Sequence, residues 1–586
     1  MKYILEPLEE PSKVGSWVHL QLCDEDLQMF PRVPIISCDF EEACFVVLTR
    51  GTNGLKPCII CLVPKTEQYN LEIHYELRTS KQTREILGDA AGLLTKGAQN
   101  KFLSGFGLRD IQNTFWNVTD CDLFRSLSFD RLHAHDDGLF GKHLRGELVA
   151  RVEALGSQFI GQADDQIKLF PRWKDFYHFE SGFMGVYFTD GGKYEDLAKH
   201  IIFVTQNILT ETHDKHGYHL LKSFNLHTEK TMQAIRDELV KFSELIKEYE
   251  QLTMSVKPKA KSWNFPKIHS HQHLVDDIMA KGVTQNYNTK PNEKMHRPLK
   301  DAYQLRTNFK EVAEQILRVD SWCNSASFIR QQIDLQEELL HQATSEDGDD
   351  DDDNELTADR SGKATLHGHR GKGGGTFKIR ELPVLRADDA AYRNFKDRLS
   401  NFMIGQFAKH PEIIPLVSGQ KVLFKAFKGH DEIQLYGLLK VNYENTVDWN
   451  MCTDYLRCSP DFYNHPRYDC VIVEGSEGPF FAQIIMLFSC VVSGKSFPLA
   501  LVHSFDEPVG ASNAKLDKDL GFYRVRARKR TQSMFISIYV IICGALLVKD
   551  YRFNSPDGMK EYLVVDSVDS DSFLRMKSLK YVGCRN

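Results

Sequence analysis

Long hydrophobic runs are missing from this 586-residue chain. A bilayer-spanning helix needs about 20 consecutive apolar residues, and the two longest apolar runs, 480–492 and 534–548, are both interrupted by polar residues or glycine. They read as buried strands or helices, and no membrane partner is expected. The opening MKYILEPLEEPSK has proline and acids where a secretory signal would be apolar, so an intracellular protein is expected. Thirteen cysteines are present without the spacing of a secreted disulfide scaffold, which predicts free thiols unless a metal takes them. Charge of one sign is lacking too. The formal net charge is -7, so no global field draws the chain to nucleic acid and any such surface must be local. No repeat of fixed period is found.

What is there fits a globular protein of several domains, with 42% apolar and 26% charged residues. Val33–Ser37 reads as a buried strand, followed by a helix from Glu41 that Gly51 closes. The stretch FMGVYFTDGG carries a strand signal and a helix after it. Met232 to Leu252 places apolar residues at three and four spacing, the mark of an amphipathic helix packed on a core. Residues 345–380 hold five consecutive aspartates and a glycine run; nothing apolar offsets their ordering entropy, and a disordered linker is expected. Beyond it, 381–586 alternates short strand-like runs with turns: VLFKAFK, EIQLYGLLKV, YDCVIVEG, FPLALVHSF, GFYRVRAR, EYLVVDSVD and SFLRMKSL. This predicts a β-rich domain, a small barrel being the natural closure.

Four features carry chemistry. Asp39 stands at the end of the first strand, where α/β sheets place metal-binding aspartates; the competing reading is a cap for the helix that follows. Cys58 and Cys61 have the spacing of half a zinc site, and no second CxxC exists to complete it. His269, His271 and His273 alternate in IHSHQHLVDD and would share one face of an extended segment; the alternative is a polar strand beside a buried CxxC. Glu293 lies within 281–310, where seven Lys or Arg face two acids. That patch, with Lys281, Lys290, Lys294, Arg297, Lys300, Arg306 and Lys310, suits a phosphate backbone, and Glu293 is either a metal ligand beside it or a surface ion-pair member. A second basic run, Arg524 to Arg530, reads as a solvated face or turn. Carboxylates holding two divalent ions beside a phosphate-binding patch are the standard device for phosphodiester chemistry. Asp39 and Glu293 are two candidates, and no argument from the residues selects a third.

The motifs ISCDFEEACFVVLTRG, KPCIICLVP, HAHDDGLFGKHL, FPRWKDFYHFESGFMGVYFTDGGKYEDLAKHIIF and FPKIHSHQHLVDDIMAKGVTQNYNTKPNEKMHRPLK, with KDLGFYRVRARKRTQSMFISIYVIICGALL further on, resemble the Plavaka transposases of basidiomycete fungi. These fall within the Kyakuja–Dileera–Zisupton superfamily of DNA transposons. The resemblance implies an α/β, RNase H-like DDE core with helical insertions, incomplete in this chain, spanning 1–345 ahead of the β-rich 381–586. It implies cut-and-paste chemistry with Mg or Mn, Asp39 and Glu293 as catalytic acids, a zinc unit built from the CxxC and the histidine motif, DNA as partner, a homo-oligomer and a nuclear location. In the family a first catalytic aspartate precedes this region. Asp24 and Asp26 follow no apolar strand and do not match it, so the chain is expected to be N-terminally truncated and inactive alone. The alternatives are an intact transposase with a missing N-terminal exon, or a module that binds DNA or protein without catalysis.

Overall fold

The computed structural model describes residues 2–20, 25–185, 187, 191–224, 232–254, 261–345, 363–369, 375–409, 416–417, 420–421, 425–463, 465–506, 514–552 and 560–583. The chain divides into two units: Met1–Leu148, Phe188–Glu195 and Glu229–Thr357 form the first, and Val149–Tyr187, Asp196–Thr228 and Ala358–Asn586 the second. Both are discontinuous, whereas the sequence suggested a single cut near residue 345. The aspartate run lies outside the described residues. The later part of the same expected linker does not behave as one: Ala364–His369 and Thr376–Lys378 are strands paired with Glu432–Glu444.

In the first unit, helix α1 (Lys2–Val14) precedes an antiparallel hairpin of Ser16–Leu20 and Glu25–Met29. The expected strand at 33–37 is reduced to a single parallel bridge, Ile36 with Leu127. Pro34 explains this, because it removes a backbone donor from the middle of the run. Asp39 then caps helix α2 (Phe40–Val46), its Oδ1 accepting from Glu42 N at 2.7 Å. The helix ends before Gly51. Ala43 and Val47 bury against Leu5, Phe115, Leu123, Phe124 and Leu127.

Arg131–Leu144 is a π-helix of 14 residues, a form mostly seen as single turns near functional sites. Gly138 fits here because a Cβ would lie 2.3 Å from His133 O and 2.6 Å from Lys267 Cδ. Helix α3 (Met232–Met254) confirms the amphipathic reading; Ile235, Phe242, Ile246 and Tyr249 are buried along one side. The short α4 (Pro266–Ser270) passes through one tight turn, His271–His273, into α5 (Leu274–Lys281). Next come α6 (Lys290–Arg306) and the 34-residue α7 (Val312–Ser345), joined by five residues as a helical hairpin. Among its described residues this unit has one hairpin and three isolated bridges as its β structure.

The second unit holds a 13-stranded sheet whose pairings are antiparallel. Its main path runs Leu547–Lys549, Glu561–Val564, Tyr523–Ala527, Lys495–Asp506, Phe480–Val492, Glu432–Glu444, Met451–Phe462, His465–Tyr468. Helix α8 (Phe395–Lys409) spaces Phe395, Leu399, Met403 and Phe407 four apart, so all four fall on one face and bury against Phe488, Leu499, Leu501 and Phe535. Each such side chain contributes about 1.5–3 kcal/mol relative to exposure. VLFKAFK lies partly outside the described residues, and its described part, 425–428, is not strand; of the other expected strands, most form. SFLRMKSL does not: it belongs to the helix Ser570–Gly583, started by Asp569, whose Oδ1 accepts from Ser572 N at 2.7 Å, and carried by Leu, Met and Lys, which favour helix.

Candidate metal centre

Cys58 and Cys61 sit where the chain enters a short antiparallel contact. Cys61 bridges Leu77, Leu62 N donates to Glu76 O at 2.9 Å, and Arg78 N donates to Ile60 O at 2.8 Å. The backbone folds around the first sulfur: Ile60 N and Cys61 N reach Cys58 Sγ at 3.3 and 3.4 Å, an arrangement that stabilises negative charge on a thiolate. Arg78 is buried behind the loop and locks it, with Nε to Cys58 O, Nη1 to Phe106 O and Nη2 to Lys56 O, each at 2.9 Å.

The facing side comes from α4 and the turn after it. His269 Nε2 lies 3.1 Å from Cys61 Sγ, and His273 Nε2 lies 3.4 Å from Cys58 Sγ. All four side chains are buried and their ligand atoms fall within 4.8 Å of one another. A tetrahedral Zn²⁺ with bonds of about 2.3 Å to sulfur and about 2.0–2.1 Å to nitrogen places its sulfur and nitrogen ligands about 3.5 Å apart. The observed separations match that edge, and two thiols with two imidazoles are a standard structural zinc set. The residues fit the ion.

His271 is not part of this set. The segment is helical rather than extended, so residues four apart share a face while the one between them turns away. Its ring instead reaches His135 Nδ1 from Nε2 at 3.0 Å and Lys267 O from Nδ1 at 2.8 Å. Burial pushes His271 down to about 4, so it is neutral. At the centre, burial opposes ionisation of Cys58, but hydrogen bonding from Cys61 and the charge of His273 overcome it and hold the thiol well below its ordinary value. Cys61 is pushed up, first by its hydrogen bond to Cys58 and then by burial. Burial would lower His273, but the Cys58 thiolate raises it. Thiols and imidazoles must give up any protons they carry to ligate a divalent ion, so binding is coupled to pH.

The other candidate residues lie in the same unit. Ser37 Oγ donates to Tyr287 O at 2.6 Å. The buried Thr289 donates from Oγ1 to Asp130 Oδ1 at 2.8 Å. The approach to Asp39 and Asp130 are thus each tied to the segment that leads into α6. The Oδ2 of Asp130 also bonds His133 Nδ1 at 2.6 Å, and Asp130 acts with Asp39 on Lys267 and Cys38. Burial lowers the Lys267 ammonium, aided by Lys142 and opposed by Asp137, Asp130 and Asp39. Burial, Glu42, Asp39 and Asp130 push Cys38 up to about 12. Glu293 and Lys294 stand in α6; their side chains lie outside the described residues.

The basic patch is less uniform than its sequence suggests. Lys281 is buried, bonding Asp277 Oδ1 at 2.7 Å and also Leu127 O. Lys290 pairs with Glu195. Arg297, Lys300, Arg306 and Lys310 are exposed. The second basic run is no solvated face: Arg524 pairs with Asp517, Asp550 and Glu561, Arg526 with Glu561, Arg528 with Asp506 and Arg530 with Asp389.

Residues 1–146 match the Plavaka transposase family. That matched span takes in Asp39, the CxxC and Asp130, and the Plavaka resemblance read from the sequence stands on it. No curated protein matches the chain. Among the described residues no helix is long and apolar enough to cross a membrane.

The sequence pointed to both cysteines and to His269 and His273. It missed Asp130 and Arg78. The local context of Asp130, Phe129-Asp130-Arg131, gives no hint that the carboxylate is buried and bonded to Thr289.

Proposed function

We propose that this chain is a DNA-handling protein of the Plavaka transposase type, with a structural zinc ion held by Cys58, Cys61, His269 and His273. The observation that carries this reading is the buried Cys₂His₂ set, whose cysteines lie inside the span matching the family. The zinc ion joins a loop near residue 60 to a helix near residue 270, so it acts on folding rather than on the reaction. In this reading the first unit corresponds to an incomplete RNase H-like DDE core. Asp39 and Glu293 hold Mg or Mn, which supplies the two-ion activation and leaving-oxygen stabilisation of cut-and-paste strand chemistry. Arg297, Lys300, Arg306 and Lys310 would contact the phosphate backbone, and the protein would act in the nucleus as a homo-oligomer.

A second reading is a module that binds DNA or protein without catalysis. Two observations favour it. Asp39 uses one oxygen as a helix cap, and Lys281 and Lys290 are engaged in pairs within the chain.

Calorimetric titration of Mn²⁺ into the zinc-loaded protein separates the two. Saturable binding lost in both Asp39→Ala and Glu293→Ala supports catalysis. DNA binding that survives both changes and needs no divalent ion supports the binding module. Exposed arginines and lysines that touch phosphates give a binding constant falling steeply with salt.

A further inference from the structure

Helix α7 is exposed on every side from 321 to 337, yet it is not polar on every side. Trp322 is 66%, Ile329 59% and Ile333 41% exposed. An isolated helix is marginal in water, and large apolar side chains left in solvent mark an interaction surface. The pattern is specific. Val312, Val319, Ala326 and Ile333 recur every seven residues, and Trp322 and Ile329 recur seven apart between them. That is the a/d seam of a coiled coil. Its first part already has a partner, because Val312, Ile316 and Val319 are half-buried where α6 folds back on α7. The same seam then continues without cover through Trp322, Ala326, Ile329 and Ile333.

We propose that this open part of the seam pairs antiparallel with the same helix of a second copy of this chain. Antiparallel pairing sets Trp322 against Ile333 of the second copy and Ala326 against Ile329 of the second copy, and the reverse by symmetry. Each of the four open apolar seam residues then meets an apolar residue, Gln336 falls opposite the already half-buried Val319, and the small Ala326 leaves room for the branched Ile329. It also places the two α6 helices at opposite ends of the contact. Parallel pairing would crowd both at one end and stack Gln336 on Gln336. The contact is isologous, as a two-fold dimer requires. About 12 residues, or about 18 Å of helix, make a small interface at the weak end of specific contacts. A dimer in the micromolar range is expected.

A second apolar stripe, Leu317, Phe328 and Leu335, lies on the opposite face of α7 and supplies a control. Sedimentation of the full chain from 1 to 100 µM (about the range in which small interfaces exchange) should show a concentration-dependent dimer. Ile329→Asp should abolish it, and Phe328→Asp should leave it intact; both residues are exposed in one copy, so neither change disturbs folding. For orientation, Ala326→Cys and Ile329→Cys proteins, each carrying Cys323→Ser, should form a disulfide when mixed and little when oxidised alone. A wild-type monomer at all concentrations, or a dimer indifferent to Ile329→Asp, overturns the proposal. Efficient cross-linking of Ile329→Cys to itself would replace it with a parallel pair.

Discussion

Cys61 Sγ stands 3.1 Å from His269 Nε2 although 208 residues separate them in sequence. Contact across so long a loop is entropically costly to make, and a metal ion is the strongest available means of holding it. Purified protein should contain one zinc per chain by elemental analysis. Cys58→Ser or His273→Ala should lose the ion and lower the unfolding midpoint of the first unit, with chelator doing the same to the wild type. His271→Ala should keep the ion. Equal zinc loss in His271→Ala would place a third histidine at the centre and contradict the geometry.

Asp130 offers a second test in the same unit. Its carboxylate serves Thr289 and His133, and removing it orphans one buried hydroxyl and part of one ring. Asp130→Ala should cost about 1–3 kcal/mol in denaturant unfolding. Asp130→Asn, which keeps an acceptor for Thr289, should recover part of the loss.

Arg524 governs the second unit. Its guanidinium is the shared partner of Asp517, Asp550 and Glu561, the last two almost wholly buried. Arg524→Met leaves the buried Asp550 to Arg552 and the buried Glu561 to Arg526, and should destabilise by up to about 3–5 kcal/mol. Arg524→Lys should restore only part, since an ammonium cannot reproduce the planar fork that meets three acids. A loss below 1 kcal/mol in the Met variant would mean the network is solvated.

The pH dependence of stability should carry the mark of His200. Its ring sits among Phe170, Phe176 and Phe179 at centroid distances of 4.1, 4.8 and 5.8 Å, and burial pushes it down to about 3. The folded ring is neutral, while the unfolded chain takes a proton near its ordinary 6.5. Between those values the unfolded state binds more protons, so stability is full above 6.5 and falls as pH drops through the window. His200→Phe should flatten the decline between pH 7 and pH 5, read as the difference in thermal midpoint. An unchanged slope would assign the effect to other groups.

Local chemistry was legible in the sequence and distant pairing was not. The CxxC declared half a metal site, and the histidine run declared the other half. Only the assumed geometry misled: alternation implies one shared face in a strand, but the helical backbone selects His269 and His273 and turns His271 toward His135. The Arg524–Arg530 run fails for the converse reason. Its charge is visible in the sequence, while Asp389, Asp506, Asp550 and Glu561, which neutralise it, are brought in by the fold of the second unit. Strand runs such as the β-branched 470–473 and the apolar 497–502 were readable because both neighbours and burial agree with propensity. Val33–Ser37 had the propensity but also Pro34.

The two units interleave along the chain. The second takes 149–187 and 196–228 from the middle of the first, and the first closes only with residues up to 357. A ribosome must therefore release the whole first half before either unit holds all of its own core. Cutting the gene at the aspartate run, the obvious place for expression of separate halves, would strand two segments of the second unit on the wrong fragment. Autonomous folding should be sought in co-expressed, not isolated, pieces.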